Sequence, residues 1–342
     1  MRAILLCAGK GTRFRPVTER IAKPLLPFLN VPMALQHLRR LQQAGIDQVA
    51  VNLHHLPEQV EGVLREKTAG APELAFFREP RILGTAGALR NAAAFLAGGD
   101  FLVMNSDAAF APDLAALAER HRESGRAATL LVTENRHPDR YTPLQAEGDR
   151  ITGFGARSER PWLYTGACIL SSRLLERIPP GEASLVADLW RPLLDEGREE
   201  IGFVIHDGPF ADLGRPGDLL RASLEALSRG GQFPDGAGVF DPERRVRARA
   251  GAVAAAAVDR VVGDAAVSRD AVLRASAVWD GVAVGAGARL EHCLAARGRV
   301  AAGAYHEKAL LWCPDPVGDA GVFPLTGFDD DSHGFHPLSP RR

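Results

Sequence analysis

The chain has 342 residues, 46% of them apolar, and its 41 basic side chains offset 42 acidic ones to a formal net charge of −1. A near-neutral chain of this length can bury a full-sized core, and the lack of any long basic run argues against a nucleic-acid or membrane-surface partner. No segment approaches the ~18 apolar residues of a membrane-crossing helix, and Met1–Cys7 is too short for a secretory apolar stretch, so a cytoplasmic protein is expected. Cys7, Cys168, Cys293 and Cys313 are scattered without a Cys-x-x-Cys pair, which predicts small buried thiols and neither a zinc site nor a disulfide framework.

From the start to about residue 230, short β-rich runs alternate with helical patterns. Strands are predicted at Arg2–Cys7, Gln48–Leu53, Leu74–Phe77, Phe101–Asn105, Ala128–Val132, Tyr164–Leu170 and Ile201–Ile205. Helices are predicted at Met33–Ala44, Pro57–Glu66, Thr85–Leu96, Pro112–Glu123, Val186–Glu196 and Pro216–Ser228, with glycine stops and prolines in first turns. This alternation predicts a largely parallel, doubly wound α/β sheet with ligands at the carboxyl ends of its strands, where Gly9 and Asp107 fall. After Gly230-Gly231 apolar residues recur every six positions at Val272, Val278, Val284 and Leu290, and more weakly at Ala296 and Ala302. That hexapeptide period predicts a short left-handed parallel β-helix over 236–312, with turns of ~18 residues. Residues 313–342, rich in Pro, Gly and Asp, are predicted to form an extended or disordered tail after a first domain of 1–230 and the helix.

The densest chemistry lies in Ala8-Gly9-Lys10-Gly11-Thr12-Arg13, directly after the first strand and followed by Pro16, Lys23-Pro24-Leu25, Pro27 and Pro32. Two glycines let backbone amides approach an anion, and Arg13 and Lys23 add fixed positive charge, so a triphosphate cradle with exposed site charges is expected. No Gly-Lys-Ser/Thr follows at the spacing of the standard phosphate loop, and Phe14 stands where the dinucleotide fingerprint needs a third glycine. Lysine occurs only at Lys10, Lys23, Lys67 and Lys308, and two of the four fall here, which suggests a need for a compact ammonium. Further on, Val103-Met104-Asn105-Ser106-Asp107 ends an apolar strand with a carboxylate, and Phe210-Ala211-Asp212-Leu213-Gly214-Arg215-Pro216 places another before a helix. An isolated aspartate after a strand commonly caps a helix or a turn, so these two gain meaning from their order and spacing.

Together with Glu79-Pro80-Arg81-Ile82-Leu83-Gly84-Thr85-Ala86-Gly87-Ala88-Leu89, these segments resemble the signature of the sugar-1-phosphate nucleotidyltransferases, most closely those that transfer guanylyl groups to mannose-1-phosphate or heptose phosphates. The resemblance implies a Rossmann-like nucleotidyltransferase domain with a C-terminal left-handed β-helix, a nucleoside triphosphate and a sugar-1-phosphate as substrates, and Mg²⁺ held by Asp107 and Asp212. It implies catalytic roles for Arg13, Lys23, Asp107 and Asp212, and nucleotide contacts at Ala8, Gly9, Gly11, Thr12, Glu79, Gly84 and Thr85. A carboxylate can accept both N–H donors on guanine's edge, so Glu79 tilts the expected base toward guanine. Sugar-phosphate contacts are expected at Glu159, Arg160 and Gly166, where Arg160 replaces the family's lysine and leaves the sugar open. A homo-oligomer formed through the β-helix is compatible with this reading. Two alternatives are a uridylyl- or thymidylyl-transferring relative and a silent nucleotide-sugar-binding regulator; retention of all four catalytic residues speaks against the second.

Overall fold

A computed structural model describes residues 1–155, 161–197, 201–228, 260–262 and 265–326. The chain divides into two compact units, one of Met1–Lys10, His37–Ser106 and Pro112–Gly208, the other of Gly11–Gln36, Asp107–Ala111 and Pro209–Arg342.

The first unit is built on a nine-stranded sheet in the order Glu73–Arg78, Gln48–Leu53, Arg2–Leu6, Asp100–Asn105, Trp162–Ser171, Ala128–Glu134, Ile201–Ile205, Arg150–Phe154, Leu144–Glu147. The first four strands are parallel and in register through Val51, which pairs with Leu5 and with Phe76, and through Leu5, which also pairs with Met104. Val49, Ala50, Val51, Leu102, Val103 and Met104 are fully buried, as central parallel strands covered on both faces require. Beyond Asp100–Asn105 the expected parallel pattern changes: Trp162–Ser171 runs antiparallel to both neighbours, and Ile201–Ile205 returns parallel to Ala128–Glu134. Leu144–Glu147 and Arg150–Phe154 form a hairpin that the sequence reading lacked, because both are short and carry polar residues in place of an apolar run.

Two expected helices are modified. Thr85–Leu96 is divided into Gly84–Asn91 and Ala93–Leu96 at Ala92. Val186–Glu196 opens with a π-helical turn, Leu185–Trp190, before the α-helix Arg191–Glu196. Pro192 has no N–H to return to the preceding turn, and the widened turn accommodates that missing donor. The core of this unit gathers around Trp190, which stacks on Phe154 at 5.8 Å and meets Tyr164 edge-on at 4.9 Å.

The second unit holds a hairpin (Pro27–Phe28 with Val31–Pro32), a ribbon (Ala108–Phe110 with Phe210–Asp212), the helix Pro216–Ser228, and three narrow parallel sheets near the C-terminus. Those sheets make a three-sided coil: Val261 pairs with Ala277, Val267 with Val284, and Leu273 with Leu290, steps of 16 and 17 residues. Turns shorter than the expected 18 make the six-residue period drift. Val278, Val284 and Leu290 point into the coil's own core, whereas at 272–273 the inward residue is Leu273, Ala296 packs in a different cluster, and Ala302 is exposed.

One outer face of the coil contributes Ala277, Trp279, Leu294, Leu310 and Trp312 to a core shared with Phe14, Leu26, Phe28, Met33, Leu213, Leu219 and Leu220. Within the expected tail, Gly321–Pro324 forms an antiparallel strand on Ala309–Trp312, and Leu325 is buried; 327–342 lie outside the described residues, as do 236–259 of the expected β-helix. The four cysteines are free; Cys7, Cys168 and Cys293 are buried as expected, whereas Cys313 is half-buried. Among the described residues no helix is long and apolar enough to cross a membrane.

Candidate active site

In the second unit, four of the expected site residues come together. The ribbon pairs Phe210 with Phe110, Ala211 with Ala109 and Asp212 with Ala108, and the Leu213 N–H then donates to the Asp107 carbonyl oxygen at 3.0 Å. Two aspartates distant in sequence therefore stand at the same end of one ribbon. Its other end is fixed by the edge contact of Phe110 and Phe210 at 5.6 Å, and Leu213, fully buried, anchors the aspartate end. Lys23 begins the 3₁₀ turn Lys23–Leu25, held down by buried Pro24 and Leu25, and its ammonium donates to Asp107 Oδ2. The Lys23 side chain is only 12% exposed, against the expectation of an exposed site charge.

Arg13 lies on the 3₁₀ turn Thr12–Phe14, with fully buried Phe14 as its anchor. The guanidinium reaches Gly214: a Cβ there would sit 2.9 Å from both Arg13 Nη2 and Asp212 Oδ1. The Gly214 N–H donates to Asp212 Oδ1 at 2.9 Å. Gly11 introduces the Arg13 turn with φ +63°, and a Cβ on it would meet Thr18 Cγ2 at 2.8 Å and Lys23 Cβ at 3.0 Å. No residue with a side chain fits that conformation and that space without strain. The Thr18 hydroxyl, buried, donates to the Gly11 carbonyl at 2.8 Å and fixes the turn from behind.

The electrostatics of this cluster are asymmetric. Burial pushes the Asp107 carboxyl up, but the charge and hydrogen bond of Lys23 together with the charge of Arg13 outweigh it, and Asp107 is held below the usual carboxylate range. Asp212 moves the other way, raised by burial and by the negative charge of Asp107, against which the Gly214 N–H, Lys23 and Arg13 act only in part. A half-buried carboxylate raised by a like charge beside it is relieved by a hard cation. Two such oxygen donors fit the way Mg²⁺ binds, with one or two carboxylates and the remaining positions left to water and phosphate. Among the described residues no group of three or more His, Cys, Asp or Glu side chains forms an all-protein metal cage.

In the first unit, Ala8 is buried and Gly9 is exposed, and a Cβ on it would meet nothing within 4 Å. Glu79, expected to present its carboxylate to a base, is 3% exposed. Its Oε1 accepts from Asn52 Nδ2 at 2.8 Å and its Oε2 from the Leu83 N–H at 2.9 Å. Gly84 starts its helix with φ +70° against the Ala183 carbonyl, and Thr85 Oγ1 accepts from the Leu185 N–H at 2.9 Å. Gly166 is buried at an irregularity in Trp162–Ser171, pressed on the Asn105 side chain, while Glu159 and Arg160 lie outside the described residues. Sequence reasoning missed Thr18, Asn52 and the close packing at Gly214. The signal for Asn52 was present: a lone amide at the carboxyl end of the apolar run Val49–Leu53.

Comparison with known proteins agrees with this chemistry. A family model described as nucleotidyl transferase matches residues 2–229. Over 314 residues the chain is 30% identical to mannose-1-phosphate guanylyltransferase of Mycobacterium tuberculosis, an alignment covering 90% of this chain and 83% of that one. It is 32% identical over 252 residues to UTP–glucose-1-phosphate uridylyltransferase of Synechocystis sp., covering 67% of this chain and 64% of that protein. Among solved structures, UDP-glucose pyrophosphorylase from Acinetobacter baumanii shares the fold with a TM-score of 0.57 at 20% identity, over 68% of this chain and 95% of that one. With its signature segment, its paired aspartates and these relatives in agreement, the chain belongs to the nucleotidyl transferase family, as one of its sugar-1-phosphate nucleotidyltransferases.

Proposed function

We propose that the protein joins the guanylyl group of GTP to mannose-1-phosphate, or to a closely related sugar phosphate, and releases pyrophosphate. The observation that carries the chemistry is the cluster of Arg13, Lys23, Asp107 and Asp212 at one end of the ribbon. The lean to guanine and mannose rests on the guanylyltransferase relative, whose alignment covers 90% of this chain and so extends beyond the catalytic segment.

In the reaction an oxygen of the sugar phosphate attacks the α-phosphorus while the bond to pyrophosphate breaks, so two polyanions must be neutralised and aligned. Arg13, the exposed guanidinium, stabilises the charge gathering on the leaving pyrophosphate. Lys23, oriented by Asp107, stands beside the phosphates as a fixed ammonium. Asp107 and Asp212 would hold Mg²⁺, which when bound neutralises phosphate oxygens and orients them for in-line displacement. By resemblance to the family, nucleotide contacts are assigned to Ala8, Gly9, Gly11, Thr12, Gly84 and Thr85, and sugar-phosphate contacts to Glu159, Arg160 and Gly166. The C-terminal coil is read as a left-handed β-helix on its hexapeptide period, and as the surface through which copies of the chain would associate.

The test is direct. The pure protein is incubated with each triphosphate, a panel of sugar-1-phosphates and Mg²⁺, and pyrophosphate is measured. GTP with mannose-1-phosphate should give the highest turnover. A preference for UTP with glucose-1-phosphate would move the assignment to the uridylyl-transferring alternative that the Synechocystis relative keeps open. No pyrophosphate from any pair would favour a silent nucleotide-sugar-binding regulator.

A further inference from the structure

Three adjacent parallel strands, Arg2–Leu6, Gln48–Leu53 and Glu73–Arg78, end side by side, and a buried polar relay continues past their carboxyl ends. The Cys7 N–H donates to Asn52 Oδ1 at 2.6 Å, Asn52 Nδ2 donates to Glu79 Oε1 at 2.8 Å, and the Leu83 N–H donates to Glu79 Oε2 at 2.9 Å. The Glu79 backbone is held as well, its N–H donating to the Leu53 carbonyl at 2.7 Å and its carbonyl lying 2.8 Å from His54 Nδ1. Asn52 and Glu79 are each 3% exposed. Cys7 leads directly into Ala8-Gly9, and Leu83 is the residue from which the helix Gly84–Asn91 starts.

The polarity of this relay admits one assignment. Cys7 can only donate, so Asn52 must turn its oxygen to it and its NH₂ to Glu79. Leu83 can only donate, so Glu79 must accept at both oxygens, which a carboxylate does and an amide cannot. We infer that Asn52 and Glu79 are positioning residues that lock the Cys7–Gly9 backbone and the start of the Gly84–Asn91 helix into one rigid platform for the nucleotide, and that Glu79 acts through this lock without touching the base. The inference rests on the nucleotidyl-transfer reading for its catalytic consequence alone; the lock itself is a property of the free protein.

The donor and acceptor pattern supplies the experiment. In Glu79→Gln an N–H donor must face either Asn52 Nδ2 or the Leu83 N–H, and in Asn52→Asp a carboxylate faces a carboxylate. In the double variant Asn52→Asp with Glu79→Gln every donor again meets an acceptor: the new carboxylate takes the Cys7 N–H and the new NH₂, and the new carbonyl takes the Leu83 N–H. Each single change should lower kcat/KM about ten- to hundredfold for GTP, inosine triphosphate and UTP alike, as loss of a charge-assisted buried hydrogen bond implies. The loss should fall mainly on the KM for triphosphate, leaving the sugar-phosphate KM near normal. The double variant should recover to within about threefold of the parent, by the same matching of donors to acceptors. Hydrogen exchange of the Cys7 and Leu83 amides, read without any substrate, should be slow in the parent, faster in each single variant and slow again in the double.

A double variant as impaired as Glu79→Gln, or melting below both single variants, overturns the inference. So does a change in the ranking of the three triphosphates in Glu79→Gln, which would make Glu79 a base reader. Should the parent turn over no substrate pair, the nucleotidyl-transfer reading fails while the exchange experiment still decides the lock.

Discussion

Asp212 is the residue at which folding and the proposed chemistry oppose each other. Burial and the neighbouring Asp107 raise its carboxyl above the ordinary aspartate value of 3.8, so the folded state holds that proton more tightly than the unfolded chain, and stability falls as the pH rises through this region. Asp107 is displaced downward, and its contribution is present above 3.8 and lost as the pH falls below it. Asp212→Asn should therefore raise the melting temperature of the ligand-free protein at neutral pH. That gain should vanish in scans at a pH well below 3.8, where the parent is protonated at the same place. Turnover in the same variant should fall about 10²–10³-fold, the cost of one lost electrostatic stabiliser. Unchanged stability at neutral pH would rule out repulsion between the two carboxylates. Lys23→Ala should behave differently because it removes the counter-charge of Asp107. Both partners are partly buried, so about 1–3 kcal/mol of stability should go with the activity, measurable in urea unfolding. A loss of activity with no loss of stability would return Lys23 to the role of an exposed site charge.

At the scale of elements, the ribbon is the device that matters. It is only three residues on each strand, too short to stand alone, and relies on the edge contact of Phe110 and Phe210 and the anchoring of Leu213. Phe210→Ala should cost about 1–3 kcal/mol, less than a fully buried aromatic because Phe210 is half-exposed. It should lower kcat more than stability alone explains, since both aspartates lose their register; a variant with lowered melting temperature and parental kcat would show that the ribbon does not set the site. The turn at Gly11 is the second such element. Gly11→Ala forces a Cβ against Thr18 and Lys23 in a left-handed conformation that costs a side-chain residue about 1–2 kcal/mol, and the triphosphate KM should rise accordingly. A parental KM in that variant would mean the turn can relax without moving the cradle.

For the molecule as a whole, the second unit makes the C-terminal coil part of the support for the proposed catalytic cluster. Trp312 is 3% exposed in the same core as Phe14 and Leu213, the residues that anchor Arg13 and the paired aspartates. Trp312→Ala should cost about 3–5 kcal/mol and lower activity far from any substrate contact, with calorimetry showing the coil and the catalytic segment of this unit melting together. A separate low-temperature transition with activity preserved would make the coil an independent appendage.

The local terms of this protein are written in the order of its residues. The parallel strands were legible because strands buried on both faces must be continuous apolar runs, and the segment after the first strand stood out as a candidate phosphate cradle because glycine and fixed cations suit a backbone pressed on a polyanion. Both aspartates were legible as candidates from their motifs, yet each alone had an ordinary capping role. Partnership, by contrast, arises in three dimensions. The pairing of Asp107 with Lys23, the opposite shifts of the two carboxyls and the turning of Glu79 toward Asn52 and Leu83 all depend on residues far apart in the chain meeting at a ribbon end or at neighbouring strand ends. Periodicity cannot report such meetings, because a hydrogen bond or a charge interaction is set by distance and by which atom faces which, and neither is carried by the order of residues along the chain.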